Sequence, residues 1–339
     1  MGCGGCSGGG PKANSGNEDA QNGTSCASGD NDFYVVENAS CKLDLGKLSR
    51  VNPDLHCKEI ILSVLDCPTD FVKGGGAVGY LSLRTNNAVG GSGEAQPGQI
   101  YQVNLKEKTK TLINDGSDQV FLRPMGLAVI EDLTPTEVTN FCGENVVAQT
   151  LLMVADEGVD SADVSASDGG RVWSWCLNVD NLSQSLPPQP ALTAGSDQME
   201  NPRGVAILNR SIFFATAQSP DDAKGLVLQK SIAGSGTAEI ISDVFTNKIA
   251  DIGLTLDGSP LVVDSGEGSV SKLNLGKGTR SSLTGLGGAK DALALSDEDR
   301  YFVTEFDAAN VEKISLIEET ETQKVTTDVI LDGPMGISR

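Results

Sequence analysis

A chain of 339 residues can build one large β domain or two ordinary ones, and 4% aromatics against 40 glycines suits many short strands joined by tight turns, not long helices. Its 46 acids and 25 basic residues give a formal charge of −21, which excludes nucleic acid or an anionic membrane surface as the main partner of the folded surface. No run of about 18 apolar residues occurs, so no membrane-spanning helix is expected.

Residues 1–31, MGCGGCSGGGPKANSGNEDAQNGTSCASGD and one further Asn, hold Gly, Ser, Asn and acids with almost nothing to bury, so a flexible tether is expected. Cys3 and Cys6, each behind a small residue, resemble the mature start of a bacterial lipoprotein with Met1 in place of the signal peptide. That resemblance implies a lipid on Cys3 and a bilayer as partner through the anchor alone. Gly2 and Cys3 also resemble doubly acylated eukaryotic starts, but Cys6 stands where that pattern needs Ser or Thr. Incidental cysteines in a plain tail are the third reading.

From residue 32 to 339 one unit repeats. FYVVENASCKLDLGKLSRV (33–51) resembles LVVDSGEGSVSKLNLGKGTRS (261–281) and reads as a second, third and fourth strand lacking a first. CKEIILSVLDCPTDFVKGGGAVGYLSLRTN reads as a first strand, a long loop holding Cys67, and a second strand; GQIYQVNL and KTKTLIND complete that unit. NDGSDQVFLRPMGLAVIED (114–132) and TAGSDQMENPRGVAILN (193–209) share G-S-D-Q, then proline, any residue, glycine and an apolar run. Second strands follow at LLMVADEG, SIFFATAQ, PLVVDSGEG and RYFVTEFD, third strands at GRVWSWCL, GLVLQKSI, SVSKLNLG and NVEKISLI, and fourth strands at PALTAG, AEIISDV, RSSLTGL and TTDVILDG. Units opening near Pro124, Pro202, Ala250, Ala289 and Pro334 recur at about 40 to 80 residues, the period of four-stranded propeller blades.

The terminal GPMGIS is a first strand without successors, and 33–51 are successors without a first strand. Joined, they complete a unit and remove the free edges of an open array. The expectation is an all-β, six-bladed β-propeller of four-stranded antiparallel blades, closed by pairing the C-terminal strand with N-terminal strands. P-x-G-[LIV]-A followed by VAD and an aromatic strand resembles the NHL-type and YVTN-like propeller superfamily. That likeness implies the fold and leaves function open among enzymes, sensors and interaction platforms.

Strand alternation sorts residues onto two faces. Turns after second strands and before first strands share the top; turns after first and third strands share the bottom. Eight cysteines with one histidine, His56, and no paired metal-ligand spacing read as disulfides and an exported protein, in a bacterial periplasm, on an outer-membrane surface or outside the cell. The faces suggest Cys142 with Cys176, Cys26 with Cys67, and Cys41 with Cys57. Cys57 and Cys67 are kept apart because a strand between them would span about 30 Å.

The top-face residues Arg84, Met125, Asp156, Arg203, Asp251, Asp264, Asp291 and Glu305 are the expected ligand-binding set. Glu37, Asp156, Asp264 and Glu305 could ring the axis as oxygen ligands for Ca²⁺. The set resembles that of gluconolactonase-like lactonases only in part, since PMG and PRG stand where an Asn-bearing PNG would be needed. Acids that cap turns by accepting backbone N–H groups are the competing reading. Long top loops at 85–98 and 156–170 offer a binding rim. Trp173 and Trp175 share a sheet face and are expected between blades. One histidine supports no Ser/His/Asp set. A surface-anchored or secreted protein- or glycan-binding propeller is the leading function. A Ca-dependent hydrolase, lactonase or lyase in the axial funnel, and a structural subunit of an extracellular assembly, are the alternatives.

Overall fold

The structure is a computed structural model; it describes residues 26–27, 29, 32–38, 44–52, 57–84, 98–113, 121–158, 170–193, 199–219, 224–234, 236–245, 249–275, 279–283, 286, 289–294, 300–307, 311–318, 321–326, 331 and 334–338. Short alternating strands broken by Gly, Asp and Pro fold as hairpins, and every sheet is antiparallel.

The first sheet holds β1 (Phe33–Glu37), β2 (Gly46–Asn52), β3 (Cys57–Leu65) and, from the other end of the chain, β24 (Pro334–Ser338), in the order β24-β1-β2-β3. Next come β4 (Pro68–Lys73), β5 (Val78–Leu83), β6 (Gln99–Asn104) and β7 (Thr109–Leu112). The third sheet is β8 (Pro124–Ile130), β9 (Thr150–Asp156), β10 (Arg171–Leu177) and β11 (Gln189–Thr193), with helix α1 (Pro135–Cys142) between β8 and β9. β12 (Val205–Leu208), β13 (Ile212–Gln218), β14 (Gly225–Ser231) and β15 (Glu239–Phe245) form the fourth. The fifth is β16 (Ile249–Leu254), β17 (Pro260–Asp264), β18 (Ser269–Asn274) and β19 (Thr279–Leu283). β20 (Ala289–Ala294), β21 (Arg300–Asp307), β22 (Val311–Glu318) and β23 (Glu321–Thr326) form the last. The inner strands β24, β4, β8, β12, β16 and β20 pack each beside the next, and β20 returns to β24. This is a β-propeller of four-stranded antiparallel blades.

The closing pair is present: Tyr34 faces Ser338, Val35 faces Ile337 and Glu37 faces Pro334. Buried side chains between blades form the core, and they follow the strand alternation. Phe121, Trp173 and Trp175 pack together, with Phe121 edge-on to Trp173 at 6.0 Å, so both tryptophans lie inside as expected. Phe33 and Phe302, 4.6 Å apart, join the first and last sheets beneath Ile337.

Three expectations are corrected. Cys57–Leu65 is the outer strand of the closing sheet, not a first strand, and 33–51 supply only its second and third strands. The inner strand of the next blade is Pro68–Lys73, whose apolar Phe71 packs against Leu81 and Leu48 where an inner strand must be buried on both sides. The outer strand of the last blade is Glu321–Thr326 and not TTDVILDG: it pairs with β22 from Glu318 opposite Glu321 to Ser315 opposite Thr326.

The second correction concerns the cysteines. Cys142 joins Cys176 as expected, with Cα atoms 5.9 Å apart. Cys26 joins Cys57, not Cys67, and Cys57 is thereby removed from Cys41, which lies outside the described residues. Cys67 is disulfide-bonded as well. The face rule itself holds: an outer strand starts at the bottom, so Cys57 is on the same face as Cys26, and Cys67, after that strand, moves to the top.

The third concerns the stretch after β8, expected as a long loop. It holds α1, which begins at a capping box: Glu137 N donates to Thr134 Oγ1 and Thr134 N donates to Glu137 Oε2, with Pro135 at the first helical position. The tether residues 1–25 and the rim residues 85–97 and 159–169 lie outside the described residues.

Candidate functional site: the axial carboxyls

The inner strands open alike: Pro334-Met-Gly, Pro68-Thr-Asp, Pro124-Met-Gly, Pro202-Arg-Gly, Ile249-Ala-Asp and Ala289-Lys-Asp. The register slips between the first and third of these residues in β4, β8, β16 and β20, the mark of a bulge. A bulge leaves an extra residue unpaired and re-aims its neighbour. Here it frees the N–H of the third residue from the ladder, and hydroxyls of the second strand accept it: Asp70 N donates to Ser82 Oγ at 3.1 Å, Gly204 N to Thr216 Oγ1 at 2.8 Å, and Asp291 N to Thr304 Oγ1 at 3.0 Å.

The third residue is Asp in three blades and Gly in three, and the two types fit together. A Cβ on Gly336 would stand 2.7 Å from Asp70 Oδ1, and one on Gly204 would stand 2.3 Å from Asp251 Oδ1. Asp70 and Asp251 thus occupy space that the preceding blade leaves empty. All three aspartates also reach backbone donors. Phe71 N and Leu127 N each donate to Asp70 at 2.7 Å; Ala292 N and Ile337 N each donate to Asp291 at 2.6 Å; Ile252 N donates to Asp251 at 2.7 Å. Leu127 and Ile337 belong to the following blade, so two of the three carboxyls stitch one inner strand to the next.

Oxygens of Asp70, Asp251 and Asp291 lie within 4.8 Å of one another, in an axial cavity of about 270 Å³. Burial pushes Asp70 and Asp251 well above the usual carboxylate range, and the charge of Asp291 raises both further. Burial holds Asp291 at about 6. Like charges this close and this far from water do not all ionise. An all-oxygen set of this kind has the hardness that Ca²⁺ requires. Against a cation, five backbone N–H groups already occupy these carboxyls and burial favours their neutral forms. Through these N–H groups Asp70 and Asp291 stitch adjoining inner strands at the centre of the ring.

The expected site residues divide accordingly. Asp251 and Asp291 are in the axial cluster. Asp156 is buried under its own turn, accepting from Leu122 N, Arg123 N, Gly158 N and Trp173 Nε1. Asp264 is buried and accepts from Gly266 N and Glu267 N. Both acids therefore behave as turn caps. Glu37 is fully buried, accepting from Ser49 Oγ and, at 3.0 Å, from Lys58 Nζ. Glu305 is fully buried opposite Ala289. Arg203 pairs with buried Glu157. Arg84 and Met125 are half-buried, and Arg84 N donates to Cys67 O at 2.9 Å. Asp70 was absent from the expected set because Cys57–Leu65 was read as the inner strand. The shared spelling of Thr-Asp-Phe, Ala-Asp-Ile and Lys-Asp-Ala was the signal that could have found it.

No protein-family model matches the chain. No curated protein matches it in sequence. Among solved structures it is similar to TolB from Acinetobacter baumannii, at 12% identity and a TM-score of 0.59, over 91% of this chain; the chain spans only 65% of that protein. It is also similar to a protein named as a 6-phosphogluconolactonase from Bacteroides fragilis, at 13% identity and a TM-score of 0.50, over 90% of this chain and 96% of that one. At such identities the likeness shows the β-propeller fold.

Proposed function

We propose that this is an exported binding module, a closed ring of six blades whose top face takes a protein or glycan while its N-terminal tether holds the bottom face. The observation that carries the reading is where the tether is rooted. Cys26 is bonded to Cys57 at the bottom of the closing blade; Arg50 donates to Cys26 O, and Asn52 Nδ2 donates to Ala27 O at 3.1 Å. The described root of the tether is therefore on the bottom face. The described disulfides support an oxidising compartment. In the same reading Cys3 carries the lipid, and the buried top-face acids hold turns while the rim loops recognise the ligand.

Photo-crosslinking residues placed at Arg84 and Met125 on the top, and at Leu256 on the bottom, test this in envelope preparations. Crosslinks from the top positions alone are expected; equal capture from Leu256 would contradict the reading. Mass spectrometry of the native N-terminus tests the anchor, since an unmodified Cys3 ends that part. A hydrolase or lyase in the axial cavity is the second reading, favoured by three carboxyls meeting in one cavity. Calorimetry with Ca²⁺ on chelated protein decides it: tight binding supports it, and no heat removes it.

A further inference from the structure

We propose that the top mouth of the axial channel is a binding site for an oxyanion, the carboxylate or phosphate of a small ligand, held between Arg203 and Lys290.

The residue just before the Asp or Gly of each inner strand stands one step nearer the top. In ring order these are Met335, Thr69, Met125, Arg203, Ala250 and Lys290. The strands that follow the last three are packed closely. A Cβ on Gly204 would lie 2.3 Å from Asp251 Oδ1, and one on Gly253 would lie 2.8 Å from Ala292 O. Arg203 and Lys290 are therefore only two strands apart, and Ala250 between them carries no more than a methyl. The other four residues at this level are uncharged. Two cations thus meet at the mouth of a chain whose net charge is −21.

Their charges are not balanced. Arg203 Nη2 donates to Glu157, whose carboxylate is buried. That bond orients the guanidinium, whose fork of donors matches a carboxylate or phosphate. Among the described residues, Arg203 Nε has no hydrogen-bond partner and no carboxylate pairs with Lys290. The axial aspartates below do not serve it, because their hydrogen bonds come from strand N–H groups. Lys290 is half-buried, and both burial and the nearby charge of Arg203 work against its ammonium. A cation held partly out of water beside another cation is unfavourable until a counter-charge arrives. Two cations with one carboxylate leave one positive charge over, and an oxyanion lodged between them offsets it.

The site needs neither the tether nor a macromolecule on the top face, so it stands or falls separately from the binding-module reading.

Amide NMR of the full chain at constant ionic strength reads the site, with inorganic phosphate and glucuronate as probes and sodium chloride as the blank. Saturable shifts at residues 203–205 and 289–291 are expected with at least one probe, and the probe that gives them identifies the chemistry. Lys290→Met keeps the aliphatic stem and removes the charge. Loss of a charge-assisted hydrogen bond should weaken that probe by about 10- to 100-fold, and Lys290→Arg should retain binding. Because Lys290→Met also removes the repulsion with Arg203, it should unfold at no lower urea concentration than the wild type. No saturable shift with either probe, or equal affinity in Lys290→Met, would overturn the proposal. So would a lowered urea midpoint for Lys290→Met, since Lys290 would then already have its counter-charge within the fold.

Discussion

Replacing Gly204 by alanine probes how closely the inner strands meet at the axis. The added methyl would lie 2.3 Å from Asp251 Oδ1, 2.6 Å from Ile252 N and 2.8 Å from Asp251 Cα. Two of these atoms are backbone or directly attached to it, so no rotamer change relieves them. Overpacking of this kind costs about 1 to 3 kcal/mol, and the rigid neighbours place it near the upper figure. Without crowding, Gly→Ala would instead gain about 0.4 to 1 kcal/mol by restricting the unfolded chain, so the sign is informative. Gly236→Ala is the control, because nothing lies within 4 Å of the methyl it would add. Urea unfolding followed by the fluorescence of Trp173 and Trp175 compares the two. A Gly204→Ala protein as stable as the Gly236→Ala protein would refute the close packing of β12 on β16.

Removing the Cys142–Cys176 bridge, by replacing both with alanine, frees a loop with a sequence separation of 34. Chain entropy puts that loss at about 4 kcal/mol, read as a lowered urea midpoint. Trp175→Phe leaves Leu186 O without its 2.7 Å donor and should cost about 1 to 3 kcal/mol, measured the same way. Arg210→Ala should cost under about 1 kcal/mol, since its pair with Glu137 is exposed to water. The hydrogen bond from Arg210 holds Glu137 at about 2, so the contribution is full above the ordinary carboxylate value and is lost as pH falls through 2. NMR titration of Glu137 in the Arg210→Ala protein should show its value rising.

The fold was legible wherever the inner strand was spelled with proline and glycine. Pro124-Met-Gly and Pro202-Arg-Gly placed their strands correctly, and the orphan Pro334-Met-Gly predicted the pairing of β24 with β1. The aspartate-bearing inner strands near Ala250 and Ala289 were placed as well, and the one that was missed is Pro68–Lys73. The run Cys57–Leu65 is long and carries the continuous apolar stretch Ile60-Ile61-Leu62, so it imitates an inner strand, although solvent covers its Val64 on the outer edge. That one misplacement shifted Cys57 to the wrong face, exchanged the disulfide partners and hid Asp70. Asp156 and Asp264 show the converse limit: sequence put acids at the ends of second strands, but only coordinates show their oxygens turned back onto backbone N–H groups. Helix α1 carried a local signal, Thr134-Pro-Thr-Glu, inside what otherwise resembled a loop.

Equilibrium urea unfolding of the wild-type and Asp251→Asn proteins, side by side at pH 5, 6, 7 and 8, tests most directly whether the axis holds protons. Because the folded state keeps the Asp251 proton above the unfolded value, wild-type stability should fall with rising pH by a share due to Asp251, and the asparagine protein lacks that share alone. The gap between them should widen by about 1.4 kcal/mol per pH unit until Asp251 ionises in the folded state. A gap that stays constant across the range would contradict a raised Asp251 carboxyl.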